Sequence, residues 1–191
     1  IVCSSCLFDL AFGRADVRPS SVAGILAVRD ALFREPGAAL EEGNVGAGTG
    51  ATVGKLNGPD CCMKSGLGAR AFRLGPFMVG AISAVNAVGN VIDPATQKPV
   101  AGMRATADGT TIVDMEDAML AAAEQVTMPL DRTNTTISCI VTNARLTKAQ
   151  ATKVAQMAAD AYAHTIRPTH TSNDGDTIYV LASGLLGAEE S

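Results

Sequence analysis

Histidine is scarce in this chain of 191 residues, which contains two. His164 falls in a predicted helix and His170 in a polar loop, and neither stands beside another metal ligand in the sequence. A zinc site or a Ser-His-Asp triad would therefore need partners from distant parts of the chain. Histidine-based catalysis is the weaker hypothesis, and we expect neither a metal nor an organic cofactor.

Basic clusters are also lacking. The chain has 15 Lys and Arg against 19 Asp and Glu, a formal net charge of -4, and its basic residues are scattered. A protein that binds the phosphate backbone normally concentrates positive charge on one surface. We therefore expect no nucleic-acid partner.

Long apolar segments are interrupted. The run from 74 to 92 has no charge and is long enough to cross a membrane, but it contains Pro76, Asn86, Asn90 and several glycines. Two buried strands joined by a turn explain it better. The first residues lack Met and the basic flank of a signal peptide. We expect no membrane partner and a cytoplasmic location.

The five cysteines do not form a disulfide framework, because their number is odd and their spacing is irregular. Cys3 and Cys6 have CxxC spacing, yet no second pair or nearby histidine completes a metal site. Reduced thiols are the simpler interpretation.

Alternating strand and helix patterns predict an α/β (α+β) domain over 1–191. Thr147 followed by Gln150 is a capping box that should begin a helix ending near Thr165. Other predictions follow from apolar spacing and turn residues. They are a buried strand at 1–10, a helix from Ser20 or Ser21 to Arg34, an excursion loop at 93–111, a helix at 114–125, and strands in TNTTISCIV and TIYVLAS.

The glycine-dense tract EEGNVGAGTGATVGK invites a phosphate-binding hypothesis. It fails the P-loop pattern because Leu56 stands where Ser or Thr should follow Lys55. The GxGxG run at 46, 48 and 50 also lacks the third glycine of a dinucleotide fingerprint. We expect strands whose backbones pass close to a neighbouring group instead.

The stretch TNTTISCIV crowds hydroxyl groups at the beginning of a predicted strand. In the simplest interpretation, Thr135 and Thr136 are ordinary β-branched strand residues. Alternatively, cleavage after Asn134 would give Thr135 an α-amino group with a pKa of about 8, able to accept the proton of its own hydroxyl. The local sequence alone favours the first interpretation.

Several blocks, in order, resemble a known family: GNVGAGTGATVGK, MKSGLG, VGAISAVNAVGNVIDP, NTTISCIVTNARLTKAQ, IRPTHT and DGDTIYVLASG. Together they are similar to the self-processing L-aminopeptidase/D-esterase family, which includes D-aminopeptidases and β-peptidyl aminopeptidases. The resemblance implies an αββα sandwich like that of N-terminal-nucleophile hydrolases. It also implies that part of an N-terminal segment is absent here.

The resemblance implies cleavage between Asn134 and Thr135, giving fragments 1–134 and 135–191 with Thr135 as the nucleophile. Asn86 would stabilise the oxyanion, and Asp174 and Asp176 would orient the nucleophile.

At the substrate, the resemblance implies contacts from Phe8 and Asn44. Cys6 and Phe8 stand where some relatives have an acidic residue and a tyrosine. The resemblance therefore implies that recognition of a free N-terminal amine is weakened or uses other groups.

We therefore expect an aminopeptidase or amidase-esterase acting on small peptides, amino-acid amides or esters. The resemblance also implies a homo-oligomer of processed protomers. Two alternatives stay open: an acyltransferase of the ornithine acetyltransferase type, and a non-catalytic assembly or binding protein that keeps the fold.

Overall fold

A computed structural model of the chain describes residues 3–35, 37–123 and 134–186. These residues form a mixed arrangement of helices and strands, which confirms the predicted α/β class. The helices are α1 (Ser21–Phe33), α2 (Met115–Ala123) and α3 (Lys148–Thr165). The strands are β1 (Thr52–Val53), β2 (Met63–Lys64), β3 (Leu67–Leu74), β4 (Phe77–Asn86), β5 (Asn90–Ile92), β6 (Pro99–Ala101), β7 (Thr135–Thr142), β8 (Ile166–Arg167) and β9 (Thr177–Ala182).

The principal sheet has the strand order β3-β4-β7-β9. Strands β3 and β4 form a hairpin, β4 pairs with β7 in antiparallel orientation, and β7 pairs with β9 in parallel. The β4–β7 register places Asn86 directly opposite Thr135. The sheet therefore brings together two candidate residues that are far apart in sequence.

Helix α3 connects β7 to β9 and covers one face of this sheet. Thr147 accepts a hydrogen bond from the backbone of Gln150, whose side chain accepts from the backbone of Thr147. The predicted capping box and helix are thus confirmed. Tyr162 of α3 is buried in a core with Val53, Ala87 and Ile166.

The other face of the sheet is less protected. Side chains alternate between the two faces of a strand, so Thr135 lies on the face opposite Ser138, which contacts α3 through Tyr162. On the Thr135 side, Val141 is 37% exposed and Leu181 is 54% exposed. The described residues therefore supply a helix-covered sheet, the kind of layer from which an αββα sandwich is assembled.

Two smaller sheets, β1-β2 and β6-β5-β8, flank the principal one. The prediction that glycines allow close backbone approach is confirmed in this region. A Cβ at Gly54 would lie 1.9 Å from the backbone nitrogen of Met103. Met103 in turn packs with Val88 and Met115 in a second core beside α2.

The predicted buried strand at 1–10 is wrong for residues 3–10, which contain no strand, and residues 1 and 2 lie outside the described part. Cys3 to Cys6 are exposed. A strand needs a partner for its backbone groups. Instead, the Phe8 carbonyl accepts a hydrogen bond from the side chain of Asn86. The segment therefore passes over the end of β4 rather than entering the sheet.

The remaining element predictions are confirmed in outline. Helix α1 begins after the N-cap Ser20, the uncharged run contains β4 and β5, and β9 follows the DGD turn. The predicted loop at 93–111 contains the short strand β6, and the predicted end of α2 at Gln125 lies outside the described residues. In the described ranges, no helix is both long enough and apolar enough to cross a membrane.

Candidate active site

The Asn134–Thr135 peptide bond lies at the entrance to β7. Asn134 is buried, and its backbone oxygen accepts a hydrogen bond of 2.8 Å from the Gly175 amide. The Thr135 hydroxyl donates to the same oxygen at 2.5 Å. The candidate nucleophile therefore lies beside the carbonyl group that self-cleavage would attack.

Asp176 holds the strand next to this bond. One of its carboxylate oxygens accepts from the Thr136 amide at 2.7 Å, and the other lies 2.8 Å from Nδ1 of His170. The Asp176 side chain is 7% exposed. A buried carboxylate of this kind is stabilised only by such directed donors, so it fixes the backbone that carries Thr135.

Asp174 holds the loop that precedes β9. Its carboxylate accepts from the hydroxyl of Thr171 at 2.6 Å and from the amide of Val88 at 3.3 Å. Asp174 also forms a β-bridge with Asn134. Its contribution to the junction therefore passes through the backbone.

Asn86 is fully buried, and its side-chain groups have defined directions. Its Oδ1 atom accepts from Nζ of Lys55 at 2.6 Å and from the Thr52 amide at 3.1 Å. Its Nδ2 atom donates to the Phe8 carbonyl at 3.0 Å. The Asn86 amide group therefore donates to the segment that passes over the site.

Lys55 was not identified from the sequence as a functional residue. Burial lowers the pKa of its ammonium group to about 8, while the neighbouring Cys62, Asp174 and Asp9 act in the opposite direction. Nζ also donates to the backbone oxygen of Asn86 at 2.9 Å. A cation on Oδ1 withdraws electrons from the Asn86 amide and makes Nδ2 a stronger hydrogen-bond donor.

A cavity of about 380 Å³ opens beside the junction. Its wall includes Phe8 and Asp9 from the N-terminal segment, Lys55, Asn134 and Asn173. The surface is mostly apolar with a few charged groups, a composition typical of small-molecule sites. Substrate could therefore reach the junction from this side.

The predicted site residues fall into two groups. Thr135, Asn134, Asn86 and Asp176 meet at the end of the β4-β7-β9 part of the sheet, where Asp174 joins them through the loop. Phe8 lines the cavity, and its substrate-binding role stays a prediction. Asn44 is exposed in a bend and is not part of the cavity wall, so its substrate-binding role stays a prediction.

Three further residues emerge only from the structure. Lys55 belongs to the glycine-dense tract, which fits neither the P-loop pattern nor the dinucleotide fingerprint. Asp9 immediately follows Phe8 and lines the cavity. Nδ1 of His170 lies 2.8 Å from Oδ2 of Asp176, although no local sequence pattern links the two residues. Within the described ranges, no cluster of three or more His, Cys, Asp or Glu side chains could hold a metal ion.

Comparison with known proteins places this geometry in context. The sequence model that describes peptidase family S58 matches residues 1–188. The chain is 38% identical over 193 residues to an uncharacterised aminopeptidase of Mycobacterium leprae, covering 98% of this chain and 51% of the relative. It is 32% identical over 183 residues to a 6-aminohexanoate-oligomer endohydrolase of Paenarthrobacter ureafaciens, covering 96% and 50%. The chain thus spans about half the length of these curated relatives.

A solved structure also resembles this chain. It is the L-aminopeptidase D-Ala-esterase/amidase of Ochrobactrum anthropi, described as a variant of the Ntn-hydrolase fold. The match has a TM-score of 0.49 and 20% identity, and it covers 82% of this chain and 36% of the other.

Proposed function

The chain belongs to peptidase family S58, and on that premise we propose that it is a self-cleaving amide hydrolase with Thr135 as its nucleophile. The observation that carries the proposal is the position of the Thr135 hydroxyl, 2.5 Å from the carbonyl oxygen of Asn134. Substrates would be small peptides, amino-acid amides or esters.

Self-cleavage proceeds by transfer of an acyl group from nitrogen to oxygen. The Thr135 hydroxyl oxygen bonds to the carbonyl carbon of Asn134, the carbon–nitrogen bond breaks, and the hydroxyl proton ends on the Thr135 nitrogen. Water then hydrolyses the resulting ester. The products are a carboxylate on Asn134 and a free α-amino group on Thr135.

The new amine supplies a base next to the Thr135 hydroxyl. An α-amino group has a pKa of about 8, so a useful fraction is neutral near pH 7 and can accept the hydroxyl proton. The hydroxyl then attacks a substrate carbonyl, and the ammonium group returns the proton to the leaving amine. Water releases the acyl group from Thr135 and completes the turnover.

Asn86 provides the donor for the substrate oxyanion in this proposal. It lies opposite Thr135 on β4, and Lys55 polarises its amide through Oδ1. Removing one side-chain donor of an oxyanion hole lowers kcat by about 100- to 1,000-fold in acyl-transfer enzymes. We propose that the Phe8 carbonyl gives up its hydrogen bond with Asn86 when substrate enters.

The substrate class follows from the cavity and from the relatives. One relative is named an aminopeptidase and another an endohydrolase of an amide oligomer, and both names describe cleavage of amide bonds. The cavity wall carries the carboxylate of Asp9, which could pair with a substrate ammonium group. We therefore propose aminopeptidase-type turnover, with Asp9 as the acidic group near the substrate amine.

The setting of the enzyme is also a proposal. All five cysteines are free, as expected for a reducing compartment, and we place the protein in the cytoplasm. We also propose a homo-oligomer of processed protomers, because many large apolar side chains are exposed in the described residues.

The proposal is tested by measuring turnover of an aminoacyl p-nitroanilide by wild-type protein, Thr135→Ala and Thr135→Ser. We expect Thr135→Ala to lose activity and Thr135→Ser to retain part of it, because serine keeps the hydroxyl and the amine. Thr152→Ala is the matched control, since it removes an exposed hydroxyl on α3. Wild-type turnover by Thr135→Ala would reject the nucleophile.

A further inference from the structure

The parallel pairing of β7 with β9 keeps one register across the candidate cleavage point. Ile137 pairs with Thr177 inside the sheet, and Asn134 pairs with Asp174 in an isolated bridge with the same sequence offset. Thr135 and Thr136, which lie between Asn134 and Ile137, continue this register, so Thr135 lies beside Gly175. The glycine of the DGD turn is therefore a neighbour of the nucleophile.

The hydrogen bonds show which way the Asn134 carbonyl points. Its oxygen accepts from the Gly175 amide at 2.8 Å, so it faces β9. Asn86 lies on β4, the strand on the other side of β7. Its Nδ2 atom donates to the Phe8 carbonyl at 3.0 Å. The two amide donors near Thr135 thus lie on different sides of the same strand.

We propose that the backbone N–H of Gly175 is the oxyanion donor for self-cleavage, while Asn86 serves substrate turnover. This inference rests on the proposed function. As the Thr135 oxygen bonds to the carbonyl carbon of Asn134, the carbonyl electron pair moves onto the oxygen that Gly175 already holds. The charge is stabilised there until the carbon–nitrogen bond breaks and the hydroxyl proton has passed to the Thr135 nitrogen.

The space around Gly175 supports this role. A Cβ at this position would lie 3.0 Å from the Thr135 hydroxyl oxygen and 3.7 Å from the Asn134 oxygen. The φ angle of Gly175 is outside the left-handed region, so the turn itself does not require glycine. Glycine instead leaves room for the nucleophile beside the donor.

The donor is tested by replacing Gly175 with glycolic acid, which substitutes an ester for the amide and removes only the N–H group. We expect self-cleavage to slow about 100-fold. In the fully processed protein, turnover of an aminoacyl p-nitroanilide should fall by less than self-cleavage does, because the Asn86 donor is unchanged. The matched control is glycolic acid at Gly109, whose amide donates to Thr106 far from the junction in sequence.

A side-chain variant provides a second measurement. Gly175→Ala should slow self-cleavage at least tenfold, because the added methyl group displaces the Thr135 hydroxyl. Gly68→Ala is its control, since no heavy atom lies within 4 Å of a Cβ at that strand position. Circular dichroism of each protein verifies that it is folded.

The outcomes separate this inference from the function on which it rests. If wild-type protein cleaves itself and the Gly175 ester cleaves at the same rate, the donor assignment fails while the nucleophile stands. If the fully processed ester protein loses turnover as strongly as its precursor loses self-cleavage, the assignment of Gly175 to self-cleavage alone is overturned. If wild-type protein never cleaves, both proposals fail.

Discussion

The Lys55 side chain combines burial with a positive charge. Its ordinary pKa of 10.5 is lowered to about 8, mainly because burial penalises the charged form. Between these two values the unfolded chain binds a proton that the folded chain releases. The contribution of Lys55 to the free energy of unfolding therefore increases as pH rises from about 8 to 10.5.

Replacing Lys55 with Met should remove this pH dependence. We expect the free energy of unfolding of the Lys55 protein to gain about 3 kcal/mol relative to Lys55→Met over that interval, from the usual 1.36 kcal/mol for each pKa unit. Urea unfolding in the Thr135→Ala background, in which we expect the chain to stay whole, measures the difference. Parallel pH profiles would show that Lys55 titrates normally.

Asp9 is the acidic side chain that we assign to substrate amine recognition. Its carboxylate lies against Gly50, where a Cβ would be 2.2 Å from Oδ2, so the group is held at the cavity wall. We expect Asp9→Asn to raise KM about tenfold for substrates with a free α-amine, through loss of a charged hydrogen bond. KM for N-acylated substrates should not change.

The control for that measurement is Asp108→Asn, which removes an exposed carboxylate from a loop outside the cavity wall. Equal effects of Asp9→Asn on free and acylated substrates would contradict amine recognition. They would instead favour cleavage of internal amide bonds.

Single-residue roles were only partly predictable from the sequence. Thr135, Asn86 and Asp176 stand in blocks that resemble a family, and the structure brings them together. Lys55 could not be assigned, because its partner Asn86 is distant in sequence and the lowered pKa arises from folding. The space that the glycine of DGD leaves for Thr135 could not be predicted either, because it depends on the β7–β9 register.

At the scale of elements, α3 is attached to the sheet through a chain of buried hydroxyl groups. Tyr162 donates to Oγ of Ser138 at 2.6 Å, and Ser138 is also 2.6 Å from Oγ of Ser83 on β4. Burial raises the pKa of Tyr162 to about 12, so its hydroxyl stays protonated and able to donate near neutral pH.

Tyr162→Phe should therefore lower the free energy of unfolding by about 1 kcal/mol, the usual net value of one buried hydrogen bond. Tyr179→Phe is the matched control. The Tyr179 hydroxyl contacts Ser5 in an exposed position and should contribute less. Thermal or urea unfolding compares the two variants, and equal losses would show that the hydroxyl chain does not anchor α3.

Elements with strong local signals were predicted well. The capping box fixed the beginning of α3, and turn residues marked the entrance to β9. The strand predicted at 1–10 was wrong for residues 3–10, because apolar composition does not reveal whether a neighbouring strand is available for pairing. Strand β8 was not predicted, because two residues are too few to show the alternating apolar pattern of a strand.

At the scale of the whole molecule, helix α1 has no buried residue despite its many apolar side chains. Ile25 is 60% exposed and Leu32 is 71% exposed, and their spacing places them on one side of the helix. This surface supports the proposed homo-oligomer, because a large apolar patch is normally covered by a partner.

The double substitution Ile25→Glu with Leu32→Glu should reduce the assembly mass measured by sedimentation velocity, since buried charges oppose association. Ala27→Glu, on the opposite side of α1, is the control and should leave the mass unchanged. An assembly unaffected by the double substitution would exclude α1 from the interface.

The central claim concerns one peptide bond, and intact-mass measurement of the folded protein tests it most directly. We predict that wild-type protein divides between Asn134 and Thr135 and that Thr135→Ala stays whole. The N-terminal fragment should end in a free Asn134 carboxylate. Cleavage of Thr135→Ala, or a wild-type N-terminal fragment lighter by one water from cyclisation of Asn134, would contradict attack by the Thr135 hydroxyl.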